Sequence, residues 1–283
     1  MMIKIPATSA NIGPGFDCLG VALALYNEFS FQFNTAETRQ PQDLVYEAYD
    51  LFFKYTQLPY IPMSYTVKAA IPIARGLGSS STCILAGLLA ANSFYQAPLS
   101  TEELLWLATQ LEGHPDNIVP AFFGGLTASS LQKDRIDYLK LPLSSKLNFI
   151  AFVPHYPLST EDSRKVLPKK IEFKKAVQNN IHTLFLTDGL KTGNIAAIQN
   201  YLEDFYHEPY RSQLIPEYEF FKTYCGKLNI PMYLSGAGPT LMMIIDQEKT
   251  IAKSLIKAIS ESQKNGIMYA LAVDFKGIQI EGV

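Results

Sequence analysis

The sequence predicts an α+β protein of two domains, residues 1–150 and 151–283, and three observations support this prediction. The chain has 283 residues, a length that commonly divides into two domains, and 48% of them are hydrophobic, enough for a sizeable core. Strand-like and helix-like segments are mixed without the regular alternation of a doubly wound sheet or an eightfold barrel. The segment from Leu158 to Pro168 is rich in serine, proline and charge, which places the boundary near residue 150.

Strands are predicted next to the glycine-rich segments of the N-terminal half. MIKIP (2–6) alternates and ends in proline, and ATSANIGPGFDCLG (7–20) is typical of a glycine-rich loop. In LALYNEFSFQF (23–33) the phenylalanines recur at period two, and SYTVKAAIP (64–72) alternates in the same way. The glycine-rich segment 7–20 and a second one, ARGLGSSST (74–82), therefore each begin where a predicted strand ends.

Two helices and a strand complete the N-terminal half. CILAGLLAANSFY (83–95) is apolar on nearly all sides, as a helix buried inside a domain would be. Ser100 to Glu103 is a capping box, and leucines follow at helical spacing until the chain reaches GHP (113–115). KLNFIAFVP (146–154) is typical of a strand.

The C-terminal half combines predicted helices with three predicted strands. The strands IPMYLSG and TLMMIID flank AGP, and MYALAVDF forms the last one. Helical patterns cover residues 171–187, 192–205, 216–228 and 248–263.

Composition and charge exclude several classes of protein. The formal net charge is only −2, so the chain lacks the basic surface of a nucleic-acid-binding protein. Cys18, Cys83 and Cys225 are far apart and form no CxxC pair, as in a reduced cytosolic protein. The N-terminus lacks a signal-peptide pattern, and the longest apolar runs are too short to span a bilayer. We therefore expect a cytoplasmic protein with neither nucleic acid nor membrane as a partner.

The stretch ARGLGSSST (74–82) places two glycines and four hydroxyl side chains between a strand and a helix. A helix that begins there presents unpaired N–H groups and the positive end of its dipole, and the glycines permit close approach. The pattern thus predicts an anion site, and a triphosphate is its natural ligand. It lacks the lysine of a Walker A loop and the third glycine of a Rossmann loop. A serine-capped helix after a tight turn is the alternative.

The motif PIARGLGSSST (72–82) resembles the phosphate-binding motif of the GHMP kinases. The segments PATSANIGPGFDCLG (6–20) and LSGAGPT (234–240) match the same superfamily. EGHPDN (112–117) and PYRSQLIPE (209–217) make the homoserine kinases the most similar group, and the motifs span nearly the whole chain. The resemblance implies an N-terminal domain like domain 2 of ribosomal protein S5 and a ferredoxin-like C-terminal domain.

The resemblance also implies ATP-dependent phosphorylation of the L-homoserine hydroxyl to O-phospho-L-homoserine, a step of threonine biosynthesis, by a homodimer that uses Mg²⁺. Ser80 and Glu112 are the implied metal ligands, and one hydroxyl and one carboxylate beside phosphate oxygens suit this cation. Without the motif, Glu112 would be a solvated glutamate at a helix end. The implied ATP-binding residues are Pro72, Ile73, Ala74, Arg75, Gly76, Leu77, Gly78, Ser79, Ser80, Ser81 and Thr82.

The resemblance assigns a charged pocket to the amino-acid substrate. Asp17 would accept from the ammonium group, and Arg164 and Arg211 would bind the carboxylate. Asp17 would separate this substrate from mevalonate, which has no ammonium group, and from galactose, which has neither charge. Its alternative role is a turn aspartate that binds its own backbone. The remaining implied substrate contacts are Asn11, His114 and Asn117.

The implied catalytic residues are Ser80, Glu112 and Asn117. Mevalonate kinases carry an aspartate where this chain has Asn117, and an amide cannot act as a base, so we expect direct in-line attack of the hydroxyl on the γ-phosphorus. Gly236 and Gly238 would form a second turn packed against the phosphate loop. Two alternatives stay open: a kinase for mevalonate or a sugar, and a non-catalytic ATP-binding sensor, although the metal and phosphate positions are intact.

Overall fold

The computed structural model describes residues 1–246 and 265–282, which form two antiparallel sheets and the helices that cover them. The first sheet has the order β10-β1-β2-β4-β5, with β3 also paired to β2. Its strands are β1 (Met2–Ala10), β2 (Leu19–Phe33), β3 (Met63–Ala69), β4 (Leu126–Leu131), β5 (Ile136–Leu141) and β10 (Gln279–Glu281). The second sheet has the order β7-β8-β6-β9, from β6 (Leu147–Pro154), β7 (Met232–Leu234), β8 (Leu241–Asp246) and β9 (Gly266–Leu271).

The long strand β2 determines where the loops of the first sheet lie. It pairs with β1 along most of its length, with β4 near Leu19 and with β3 from Asn27 to Phe33. Strand β3 therefore ends at the middle of β2, beside Asn27, and the chain leaves the sheet there toward the next helix. The motif PIARGLGSSST (72–82) begins at that exit, and its residues 72–78 are called the phosphate loop below.

Helices cover both sheets. The larger ones are amphipathic or buried, and the short ones connect elements around the site. Their bounds are α1 (Leu44–Thr56), α2 (Ser79–Phe94), α3 (Thr101–Glu112), α4 (Ile118–Phe123), α5 (Thr160–Lys165), α6 (Phe173–Thr192), α7 (Ile195–Tyr201), α8 (Glu208–Arg211) and α9 (Tyr218–Lys227), with a 3-10 turn at Ser212–Leu214.

Among the described residues, three apolar clusters hold these layers together. One lies between the first sheet and α1 to α4, and α2 is its centre, as its nearly uniform apolar sequence predicts. A second lies between the two sheets and includes Leu186 and Leu190 of α6. The third packs α9 against the outer face of the second sheet, where Phe221 contacts Phe152. Burial of large apolar side chains contributes about 1.5–3 kcal/mol each, so these layers dominate the stability of the fold.

The structure confirms the α+β prediction and most of the predicted elements, and it corrects several bounds. Residues 7–10 belong to β1 rather than to the glycine-rich loop, because their backbone pairs with β2. The predicted helix 192–205 is shorter, and the strand predicted at MYALAVDF corresponds to β9, which ends at Leu271. The helix predicted at 248–263 lies outside the described residues. The division at residue 150 stays a prediction, and β6 starts the second sheet at Leu147.

Several elements are absent from the sequence-based prediction: α1, α4, α5, α8, β4, β5 and β10. Strand β10 pairs with β1 through Ile280, so the end of the chain returns to the first sheet. Within 1–246 and 265–282, no helix combines the length and apolar character needed to cross a membrane.

Candidate active site

The N-terminus of α2 opens into a cavity of about 570 Å³. Gly78 is the N-cap residue, with φ of 71°, and no side chain of the described residues caps the helix. The alternative of a serine-capped helix is therefore wrong. The uncapped N–H groups and the dipole of this 16-residue helix give its N-terminus the features expected of an anion site, which stays a prediction. Glu112 and Asn117 line the cavity with residues 40–45, 73–80, 158–160 and 236–238, Tyr65 and Cys83.

The second glycine turn packs directly on the phosphate loop, as predicted. The Ser235 hydroxyl donates to the Gly76 carbonyl oxygen at 2.6 Å, and a Cβ added at Gly76 would lie 2.3 Å from the Ser235 carbonyl oxygen. Only glycine fits this contact, and φ of 75° at Gly76 also favours it. Arg75 fastens the loop on its other side, since its Nε donates to the Pro154 carbonyl oxygen at 2.9 Å.

Glu112, the last residue of α3, meets the hydroxyl groups of α2. Ser80 Oγ donates to Glu112 Oε2 at 2.7 Å, and Ser81 Oγ donates to Oε1 at 3.0 Å. Burial raises the pKa of the Glu112 carboxyl, and the two hydroxyl donors oppose that rise. Glu112 is therefore not a solvated glutamate at a helix end. The Ser80–Glu112 pair supplies two hard oxygens at the mouth of the anion site, a donor set that suits Mg²⁺.

Three of the eleven predicted ATP-binding residues lie outside the cavity lining. Within the described chain, Ile73 to Ser80 line the cavity, whereas Pro72, Ser81 and Thr82 do not. Ser81 and Thr82 are fully buried, and their hydroxyl groups bind Glu112 and the Ser79 carbonyl oxygen. The Ser81 hydroxyl thus orients the Glu112 carboxylate, and the Thr82 hydroxyl binds the first turn of α2.

The structure brings together the predicted residues of the charged pocket. Arg164 Nη2 lies 2.7 Å from Asp17 Oδ1, and the Asp17 N–H donates to Asn11 Oδ1 at 2.8 Å. The Asp17 carboxylate therefore binds an arginine, which argues against the turn-aspartate alternative. Asn11 Nδ2 donates to the Gly236 carbonyl oxygen at 3.0 Å, so the pocket adjoins the second glycine turn.

Arg211 is buried beside this ion pair. It is 1% exposed, and its Nη1 donates to the Gly236 carbonyl oxygen at 2.9 Å. Burial is the main cause that lowers the pKa of Arg211, to about 10, and the nearby positive charge of Arg164 is the second. Arg211 therefore stays protonated at neutral pH. The guanidinium carbons of Arg211 and Arg164 lie 5.1 and 5.5 Å from the ring centre of Phe16. Two cations thus contact one aromatic ring, and two neighbouring guanidinium groups suit a carboxylate ligand.

His114 and Asn117 lie in the connection between α3 and α4, between the anion site and the charged pocket. Burial lowers the pKa of His114, and the charges of Arg164 and Arg211 lower it further, which favours the neutral ring. Thr8 Oγ1 donates to Asn117 Oδ1 at 2.7 Å. Strand β1 therefore orients the amide that the sequence analysis assigns to catalysis.

Asp116 is a candidate site residue that the sequence analysis missed. Its side chain is 2% exposed, and Asn117 Nδ2 lies 3.5 Å from its Oδ1. Burial raises the pKa of Asp116 to about 7, and the charges of Asp17 and Glu112 add to this rise. Its place inside EGHPDN was the available signal, but a sequence does not show whether a carboxylate is buried.

We expect the substitution Asp116→Asn to stabilise the protein more at high pH than at low pH. The folded pKa of about 7 lies above that of an aspartate in the unfolded chain, about 4. As pH rises between these values, only the unfolded chain loses its proton, so the natural protein loses stability, whereas asparagine has no proton to lose. Thermal melts at about pH 5 and about pH 8 test this. An equal difference in Tm at both would contradict it.

This arrangement is the one expected of a small-molecule kinase: an uncapped helix end that suits phosphate, a carboxylate and hydroxyl pair that suits a cation, and a cluster of opposite charges nearby. A model of the "GHMP kinases N terminal domain" matches residues 43–125. A homoserine kinase of Clostridium botulinum (strain ATCC 19397 / Type A) is 39% identical over 275 residues, 93% of this chain and 92% of the relative. The chain belongs to the homoserine kinase family of the GHMP kinases.

Further comparisons agree with this membership. A homoserine kinase of Clostridium beijerinckii is 40% identical over 87% of this chain and 86% of its own. The crystal structure of a homoserine kinase from Cytophaga hutchinsonii superposes with a TM-score of 0.85 at 24% identity, over 99% of this chain and 96% of that one. A crystal structure of a mevalonate kinase gives 0.74 at 14% identity, over 98% and 100%. These last two likenesses concern the fold, and they confirm the GHMP kinase architecture.

Proposed function

We propose that this kinase transfers the γ-phosphoryl group of ATP to the side-chain hydroxyl of L-homoserine. The observation that carries the proposal is the cluster of Asp17, Arg164 and Arg211 around Phe16, beside the second glycine turn. A substrate with one ammonium and one carboxylate group matches these charges. Arg164 Nε is buried without a hydrogen-bond partner among the described residues, which supports a further anionic contact.

In this proposal, residues of the phosphate loop bind ATP, and Ser80 and Glu112 hold Mg²⁺. Among the described residues, no group of three or more histidine, cysteine or acidic side chains could bind a metal, and in this proposal phosphate oxygens of ATP would complete the shell. The cation would neutralise charge on the phosphates. Asn117, oriented by Thr8, and the neutral His114 would position the acceptor hydroxyl for direct in-line attack.

A coupled assay of ADP release tests the substrate. We expect turnover with L-homoserine, much less with serine, mevalonate or galactose, and none without Mg²⁺. Turnover with mevalonate or galactose in place of homoserine would support the alternative GHMP kinases. ATP binding without turnover of any acceptor would support the non-catalytic sensor. Inversion of configuration at the γ-phosphorus is expected for direct transfer, and retention would contradict it.

We further propose that the protein is a cytoplasmic homodimer and that α6 forms the dimer interface. Its apolar residues at helical spacing form one exposed face, and their exposed fractions run from 42% to 83%. When two copies of α6 cross antiparallel at Ile181, Lys174 of one copy lies opposite Asp188 of the other. Hydrophobic burial and opposite charges thus favour the same pairing. The apolar face consists of Phe173, Val177, Ile181, Leu184 and Phe185.

We expect the substitution Ile181→Lys to convert the dimer to a monomer, because the two introduced charges would meet near the symmetry axis. Leu139→Lys on β5 is the control, since Leu139 is 65% exposed and lies outside α6. Sedimentation analysis distinguishes the two variants. A natural protein that sediments as a monomer, or an Ile181→Lys variant that remains a dimer, would refute this interface.

A further inference from the structure

Asn27 lies in the interior of β2 and is 2% exposed. Asparagine is uncommon in strands, so a buried one in a central strand calls for a physical reason. Its side chain makes three hydrogen bonds, which reach two separate segments of the chain. Asn27 Oδ1 accepts from the N–H groups of Ala70 at 3.0 Å and Ile71 at 3.1 Å, and Nδ2 donates to Thr82 Oγ1 at 2.9 Å.

These two segments are the two ends of the phosphate loop. The β2–β3 ladder ends where Asn27 faces Ala69, and the Asn27 side chain then binds the next two N–H groups of the chain. Thr82 lies in the first turn of α2, and its hydroxyl donates to the Ser79 carbonyl oxygen at 2.7 Å. One buried amide therefore joins the exit of β3 to the start of the helix whose N–H groups form the anion site.

We propose that Asn27 is a positioning residue of the kinase reaction, which holds the loop of residues 72–78 in the shape that binds the phosphates of ATP. This rests on the proposed nucleotide role of the loop. Among the described residues, those that line the cavity do not include Asn27, so its effect passes through the loop. We call the three hydrogen bonds of Asn27 the clamp. Without the clamp the loop samples other shapes, and ATP binds only those molecules whose loop has the competent shape. The apparent Kd of ATP therefore rises.

Asn92 on α2 provides a matched control for a purely structural role. It is 5% exposed, its Oδ1 accepts from the Leu99 N–H at 3.0 Å, and its Nδ2 donates to the Leu99 carbonyl oxygen at 3.4 Å. It thus fastens the loop that follows α2, at the opposite end of the helix from the cavity. Asn27→Leu and Asn92→Leu both remove a buried amide, and we expect both to lower Tm.

The test compares ATP binding and turnover in the two variants. We expect Asn27→Leu to raise the calorimetric Kd and the KM of ATP by about tenfold, because buried N–H groups lose their acceptor and the loop loses its anchor. Asn92→Leu should leave both constants unchanged. A folded Asn27→Leu variant with natural ATP affinity would overturn the proposal, as would an equal rise in both variants.

A second pair of variants addresses the same clamp if Asn27→Leu does not fold. Thr82→Val removes the acceptor of Asn27 Nδ2 at nearly constant volume, and Thr82→Ser keeps it. We expect Thr82→Val to weaken ATP binding and Thr82→Ser to retain it; equal affinities would overturn the proposal. If the natural protein binds ATP but does not phosphorylate homoserine, only the proposed substrate is refuted. One that binds no ATP would refute the proposed function and the clamp together.

Discussion

Glu112→Gln is expected to lower kcat by about 10²-fold or more, the largest loss among these predictions, because charge neutralisation dominates phosphoryl transfer. Glutamine has the same shape: its carbonyl oxygen can accept from one of the Ser80 and Ser81 hydroxyl groups, which lie 2.7 and 3.0 Å from the carboxylate, and its NH2 group can donate to the oxygen of the other. The substitution therefore removes the negative charge with little change in packing. Steady-state kinetics across Mg²⁺ concentrations should show a higher requirement for the cation as well as a lower kcat.

Glu103→Gln is the matched control on the same helix. Glu103 forms the capping box of α3, where its carboxylate accepts from the Ser100 N–H at 2.8 Å. Its replacement should cost about 1 kcal/mol of stability at most and leave the Mg²⁺ requirement unchanged. If Glu112→Gln behaved like Glu103→Gln, the assignment of Glu112 as a metal ligand would be wrong.

Asp17→Asn is expected to raise the KM of homoserine by about tenfold or more, since a charge-assisted hydrogen bond to the ammonium group contributes about 1.5–3 kcal/mol. Asparagine suits this position because Asp17 has φ of 51°, a conformation that asparagine adopts more readily than alanine. The KM of ATP should change little, because Asp17 does not line the cavity at residues 73–80 where we propose that ATP binds.

A substrate without an ammonium group makes this test specific. With 4-hydroxybutyrate, which keeps the carboxylate and the hydroxyl, Asp17→Asn should not raise KM. Asp137→Asn is the control for a lost ion pair, since Asp137 on β5 lies 2.8 Å from Arg135 Nε at the surface. If Asp17→Asn weakened homoserine and 4-hydroxybutyrate equally, Asp17 would act only by holding Arg164.

Short sequence patterns were sufficient to predict some of the helices and strands. The capping box at Ser100 and Glu103 predicted the start of α3, and the period-two phenylalanines predicted part of β2. Helix α1 was missed, although the Asp43 carboxylate caps it through the Val45 and Tyr46 N–H groups. Strand β10 could not be inferred in this way because its partner is the first strand of the chain, and pairing between distant segments leaves no local pattern.

The same division holds for the site. The sequence by itself determined the chemistry, because side-chain type decides what Ser80, Glu112 and Asp17 can bind, and glycine spacing decides where a backbone can approach phosphate. Only the tertiary structure decided which groups meet, how deeply each is buried and therefore what charge it carries. Asp116 and Asn27 owe their properties to segments distant in the chain, and both packing and desolvation depend on such neighbours.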